Sequence, residues 1–507
     1  MNQAQQDLLL KVPTGVPGFD VVSEGGLPEG RTTLVTGTAG SGKTIFAAQF
    51  LAGGIKHAQN GVFVTFEESP QMQCQNMRGF GWNIRQWETE DKWAFVDASP
   101  LDRSIPLVSG EYDLDPLISR LKYAIDRVGA KRVAVDSLGT IFSYLPDKSK
   151  VRNLLFKLTQ MLREMKITAV LTSERTVEYG EISRYGIEEF VVDNVVILRN
   201  SLIAERRRRT IEILKFRGVS HQHGEFPFAI VSDRGIVVIP FSTDVLKRRA
   251  SSQRITSGNN ELDTMCGGGW FKGSIILVSG ATGAGKTLMA TEFIGGGIEN
   301  GERCLLFAFE ESRDQLLRNA KGWGIDYERM EREGRCKIIC RYPETTGLET
   351  HFVKMKEEIE RFEPTRVAID SISALERVST FKGFREFLLT LNTLFKEKGI
   401  TTLCTATTTN LIGSEAITES NISTNTDLII LLRYVEVYGE IKRGLTVLKM
   451  RGSGHNKDIR EFKIDDEGMH LGRAFRNVTG ILAGNPAFID TDELNRLNNL
   501  LTDDRSI

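Results

Sequence analysis

Cysteine and histidine are scarce in this chain, with six of each in 507 residues. The cysteines (Cys74, Cys266, Cys304, Cys336, Cys340 and Cys404) show no C-x-x-C spacing and the histidines do not cluster, so a zinc site is not expected. A disulfide framework belongs to small secreted domains and makes no sense in a chain of this size. Charge of one sign is missing too. A net charge of −1 leaves no global field to draw the chain to nucleic acid or to an anionic membrane. Aromatics make up 8% of the residues and do not interleave with basic ones, which argues against the stacking groove of a single-strand binder. No apolar run approaches the roughly 20 residues that span a bilayer, and "MNQAQQDLLLKV" lacks the basic region and long apolar core of a signal peptide. A cytoplasmic protein without membrane or nucleic-acid partners is the expectation. Arg206 to Arg209 form a local basic run, read as the solvated start of a strand.

What the chain does contain is itself, twice. "GTAGSGKT" at 37–44 recurs as "GATGAGKT" at 280–287, 243 residues on, and "VTFEES" at 64–69 recurs as "FAFEES" at 307–312 with the same spacing. Further along, "RVAVDS" (132–137) and "LKFRGVSH" (214–221) recur as "RVAIDS" and "LKMRGSGH" 234 residues on. The change of spacing requires one extra loop in the first copy, for which "LDRSIPLVSGEYD" (101–113) is the obvious place. Repeats of this size are too large for solenoid units and read as folded domains. In both, apolar runs alternate with amphipathic stretches, which implies βαβ units around a mostly parallel sheet. The expected organisation is a first domain over 1–241, a linker over 242–258, a second domain over 259–484 and a polar tail over 485–507.

Each G-x-x-x-x-G-K-[ST] match follows an apolar strand and opens a helix, the context that separates a nucleotide loop from a chance match. Its glycines turn successive N–H groups toward phosphate oxygens, and the helix start adds partial positive charge. The first cradle comprises Gly37, Thr38, Ala39, Gly40, Ser41, Gly42, Lys43 and Thr44; the second comprises Gly280, Ala281, Thr282, Gly283, Ala284, Gly285, Lys286 and Thr287. Lys43 and Lys286 are expected on the β- and γ-phosphates of ATP, with Thr44 and Thr287 on Mg2+. Asp136 and Asp370, each ending an apolar run, complete the metal shell. The paired acids Glu67–Glu68 and Glu310–Glu311 are candidates to orient and deprotonate an attacking water or hydroxyl, the first of each pair being preferred. In the K-x-R pairs Lys215 and Arg217, Lys449 and Arg451, strand alternation puts both cations on one face.

"TFEES", "MCGGGWFKGSIILVSGATGAGKT", "ITESNISTNTD" and "MRGSGH" resemble the KaiC family of circadian clock proteins over nearly the whole chain. The resemblance implies two tandem RecA-like α/β domains that stack as rings in a homohexamer with ATP between subunits. It also implies a slow ATPase in the first domain and an autokinase and autophosphatase in the second. The family's phosphorylated pair falls on Ser423 and Thr424, with a further threonine at Thr418. Its catalytic carboxylates fall on Glu67, Glu68, Glu310 and Glu311, and a second-domain catalytic-site arginine on Arg377. Lys215, Arg217, Lys449 and Arg451 match positions that the family places near a neighbour's nucleotide. A KaiB-type partner would bind the first domain, where Tyr112 and Asp113 fall in the extra loop. Two features depart from the family. Asn421 stands where histidine is usual, and the tail after "FIDTDELNRL" is shorter than the KaiA-binding end. The latter puts dependence on a KaiA-type protein in doubt and leaves a KaiB-only system open.

With the 234-residue spacing, Ser423 and Thr424 correspond to Glu189 and Phe190, while Asp427 corresponds to Asp193. Only the second domain offers acceptor hydroxyls there, so only one of two nucleotide-binding domains is equipped to phosphorylate itself in this segment. Two rival readings stand beside this one: a phosphorylation-switched scaffold without a timing role, and a DNA-dependent recombinase-type ATPase.

Overall fold

The structure, a computed structural model, describes residues 9–98, 115–143, 148–203, 205–240, 251–408, 426–437, 439–476, 478–481 and 487–488. It divides into two compact units, Met1–Phe241 and Ser242–Ile507.

Each unit is built on a nine-stranded sheet. In the first, the strand order is Trp93–Asp97, Gly61–Thr65, Arg132–Asp136, Thr168–Glu174, Thr32–Gly37, Asn194–Ile203, Arg206–Phe216, Glu225–Val231 and Gly235–Val238. The first six run parallel and the last three return as an antiparallel meander. The second unit repeats this order from Cys336–Cys340 at one edge to Gly468–Ala474 at the other, around the central strand Ile275–Gly280. Strands covered on both faces are shielded from water along their whole length. Accordingly every residue of Thr32–Gly37 and of Ile275–Gly280 is buried. The 243-residue spacing still relates Trp93–Asp97 to Cys336–Cys340, whereas Arg132–Asp136 and Arg366–Asp370 are 234 apart. The length difference therefore falls after Asp97, toward the loop read from the sequence at 101–113, which lies outside the described residues. Within the stretch read as linker, Arg254–Ile255 pairs with Trp270–Phe271.

A buried arginine pins the helix after each glycine loop, and the repeats solve its charge differently. Arg366, fully buried, donates to Glu302 Oε1 through Nε (2.9 Å) and Nη2 (2.6 Å), and through Nη1 to the carbonyls of Thr256 and Phe293. In the first unit Arg132 meets Gln59 instead, at 2.7 Å; its Nη2 has no partner among the described residues, and burial lowers its pKa to about 10. Removing one partner of a buried pair strands the other charge, so Glu302→Ala is expected to cost the second unit about 3–5 kcal/mol. Glu302→Gln, which copies the first unit, is expected to cost less; urea unfolding followed by hydrogen exchange in each unit measures both.

Candidate nucleotide sites

Each central strand delivers its glycine loop to the C-terminal edge of the sheet. The loop needs glycine at two kinds of place. A Cβ on Gly37 would lie 2.4 Å from the Leu198 carbonyl oxygen, and one on Gly280 would lie 2.6 Å from that of Leu432. Gly42 (φ 98°) and Gly285 (φ 105°) take the left-handed conformation at the helix start, where a side chain is strained. The helices Lys43–Lys56 and Lys286–Glu299 follow directly, so their first N–H groups, which have no intrahelical acceptors, face the loop. Lys43 Nζ donates to the carbonyls of Gly37 (3.0 Å) and Thr38 (3.1 Å), and Lys286 Nζ to that of Ala281 (2.9 Å). Burial lowers the pKa of both lysines. The charges of Glu174, Asp136, Glu67 and Glu178 oppose this at Lys43, and those of Asp370 and Glu310 at Lys286.

Asp136 and Asp370 end the strand two places from the loop strand and turn toward it. Thr287 Oγ1 donates to Asp370 Oδ2 at 2.7 Å, and Thr44 hydrogen-bonds Asp136 in the same way. A second threonine, Thr172 or Thr405, donates to Oδ1 of each. Burial raises the pKa of both aspartates, and these hydroxyls pull the other way. The donor set suits magnesium: oxygen only, one hydroxyl beside one carboxylate, with coordination positions left for water and phosphate. Among the described residues no group of three His, Cys, Asp or Glu side chains could hold a metal alone.

The paired acids divide by direction. Glu67 Oε1 accepts from Ser137 (2.7 Å) and Thr140 (2.8 Å), across on the segment that follows Asp136, whereas Glu68 bonds Asn76 on the helix that follows it. In the second unit Glu310 pairs with Arg377 at 3.0 Å, and Glu311 accepts from Asn319 of its own following helix at 3.4 Å. Burial, followed by the charge of Asp370, raises the pKa of Glu311. The contrast between hydroxyls and a guanidinium is written in the repeats, since Thr140 corresponds to Ala374 and Ser143 to Arg377.

The remaining predicted residues lie elsewhere. Lys215 pairs with Val195, which pairs with Leu34, three residues before Gly37, so it sits about 10 Å down the sheet from the loop. Its Nζ donates to the carbonyls of Glu189 and Val192, and Lys449 Nζ likewise to that of Thr426. Both cations belong to the edge opposite their own glycine loop. The K-x-R pairs do not share a strand face. The strands end at Phe216 and Met450, and Arg217 and Arg451 fall in turns that Gly218 (φ 78°) and Gly452 (φ 75°) make. The arginine run is also less solvated than expected, because Arg209 reaches the loop, its Nε 3.4 Å from the Gly40 carbonyl. Thr418, Ser423 and Thr424 lie outside the described residues, as do Asn421, Tyr112 and Asp113. The supporting hydroxyls (Ser137, Thr140, Thr172 and Thr405) escaped the sequence reading; Thr172 and Thr405 hold one register position, beside Val35 and Val278, but stand 233 residues apart, so the 234-residue spacing misses them.

Two such cradles, each with a hydroxyl and a carboxylate side by side beyond a mostly parallel sheet, define a tandem P-loop ATPase of the RecA-like fold. The chain belongs to the KaiC family of circadian clock proteins: the family model "ATPase: KaiC" matches residues 12–243 and again 255–474. It is similar to "Circadian clock protein KaiC3" of Synechocystis sp., with 61% identity over 500 residues that cover 99% of both chains. It is also similar to "Circadian clock oscillator protein KaiC" of Acaryochloris marina and of Synechococcus elongatus, each at 50% identity over 99% of this chain and 96% of theirs. No helix among the described residues is long and apolar enough to cross a membrane.

Proposed function

We propose that this clock ATPase is a cytoplasmic homohexamer that phosphorylates itself across subunit boundaries, at Ser423 and Thr424 and also at Thr418, and reverses that modification. Slow hydrolysis in the first domain would prepare it for a KaiB-type partner. Bound Mg·ATP supplies the transferable phosphoryl group and the charge of the metal. Lys286 and the loop N–H groups hold the phosphates, while Thr287 and Asp370 hold the metal. Glu310 is positioned to take the proton of a hydroxyl. In the first domain Lys43, Thr44 and Asp136 do the same work, with Glu67 aiming water.

One observation carries the cross-boundary reading. Asp427 is anchored beside Ile275, its N–H on the Ile275 carbonyl and its carboxylate on the Ile275 N–H, both at 2.9 Å. Ile275 is five residues before Gly280, about 16 Å at the usual strand rise. Thr424 precedes Thr426 by two residues, a tether of at most about 7 Å. The chain just past the hydroxyls thus lies at the edge away from Lys286 of its own unit, which supports their being offered to a neighbour's site. Lys449 and Arg451 leave from the same edge and would accompany them. Replacing both Ser423 and Thr424 with Ala is expected to remove most phosphate incorporation, as read by mass spectrometry of the purified full-length chain. Undiminished incorporation would sink the proposal.

A further inference from the structure

Around the first glycine loop stand two acidic groups, Glu174 and Glu178, that have no acidic counterpart among the described residues of the second unit. Glu178 Oε1 accepts from the hydroxyl of Thr38, a loop residue, at 2.5 Å, and its Oε2 accepts from the Asn200 N–H at 3.0 Å. Glu174 stands in register with Gly37 on the neighbouring strand. In the second unit Thr407 takes that register beside Gly280, the counterpart of Glu178 lies outside the described residues, and at 243 Thr38 becomes Ala281. The second loop is braced by Tyr434, the counterpart of Asn200, whose hydroxyl donates to the Thr282 carbonyl at 3.3 Å. One loop is thus held by a carboxylate, the other by a neutral phenol.

A carboxylate against a phosphate cradle has two consequences. Its hydrogen bonds fix the entry of the loop, and its charge repels the phosphates for which the loop is shaped. We propose that Glu178 is a positioning residue of the first-domain nucleotide site, bracing the loop through Thr38 while loosening the grip on a nucleoside diphosphate. This rests on the reading of that loop as a nucleotide site. It gives the two domains different residence times for the same product, although both keep the G-x-x-x-x-G-K-T pattern.

The test is binding of ADP with a fluorescent ribose label to the full-length chain, with the class of sites lost in Lys43→Ala taken as the first-domain class. Glu178→Gln is expected to tighten that class about threefold to tenfold at low salt, and the gain should shrink as ionic strength rises, since screening removes a charge effect. Thr38→Ala, which breaks the brace and leaves the charge, should not tighten it. Affinity unchanged or weakened in Glu178→Gln at every salt concentration, with the Lys43→Ala class intact, overturns the role of Glu178 alone. If Lys43→Ala loses no class of sites, the nucleotide reading of the loop falls with it.

Discussion

Glu310→Gln is expected to lower phosphate incorporation into the second unit about 10²–10⁴-fold while leaving ATP binding largely intact, the scale on which a positioned general base acts. The amide has the shape of the carboxylate but cannot take a proton from a serine or threonine hydroxyl. Glu310 is preferred to Glu311 on direction. Glu310 faces across to Arg377 and is felt by Lys286, whereas Glu311 is half-buried and tied to Asn319 on its own helix. The Arg377 guanidinium donates to Glu310 Oε1, a single bond that leaves the carboxylate with lone pairs able to accept a hydroxyl proton. Single-turnover phosphorylation followed by mass spectrometry decides the matter. An unchanged rate in Glu310→Gln, with a collapse in Glu311→Gln, would move the base to the second acid.

The second large effect is on stability against pH. Glu292 lies on the helix Lys286–Glu299, 9% exposed. Its Oε1 accepts from the Met469 N–H at 2.7 Å, and the Asn259 amide stands 3.5 Å from Oε2. Burial raises its pKa from 4.5 to about 7; the Met469 and Asn259 hydrogen bonds and the charge of His470 pull it down, and Glu261 pushes it up. Between those two values the folded chain holds a proton that the unfolded chain has lost, so the second unit loses stability as pH rises. The full difference is about 3 kcal/mol, present below pH 4.5 and gone once pH passes about 7. The first unit carries Gln49 at the same place, donating to the carbonyls of Gly15, Arg234 and Ile236 and accepting from the Ile236 N–H. Glu292→Gln is therefore expected to flatten the pH dependence of second-unit unfolding between 5 and 8 and to stabilise it most at the alkaline end. Urea midpoints across that range are the measurement, and equal slopes in both proteins would remove Glu292 from the account.

The duplicated glycine motifs, their strand-and-helix context, the acids of "VAVDS" and "VAIDS" and the two carboxylate pairs were all legible before any coordinates. The reason is local: a phosphate cradle is a short run of chain whose shape its own glycines set. The direction of each acid in a pair was not legible, because adjacent residues at a strand end are told apart only by what faces them. Lys215 and Arg217 show the same limit, since alternation predicts a shared face, but the strand ends at Phe216 and Arg217 falls in the turn. Arg209, read as solvated, meets Gly40 because the meander brings back a strand that follows the loop by more than a hundred and fifty residues.

By itself the sequence determined that this chain is two copies of one nucleotide-binding unit, and that the Ser423–Thr424 pair stands in only one copy. Those are facts of spacing and residue type, which no folding is needed to see. The tertiary structure decided which edge of each sheet each group occupies. Parallel strands carry the glycine loops to their C-terminal edge, while the strand after the hydroxyls starts at the other edge, with Lys449 beside it. That separation comes from strand direction in a parallel sheet, a property of how strands pair that is written in no single stretch of residues.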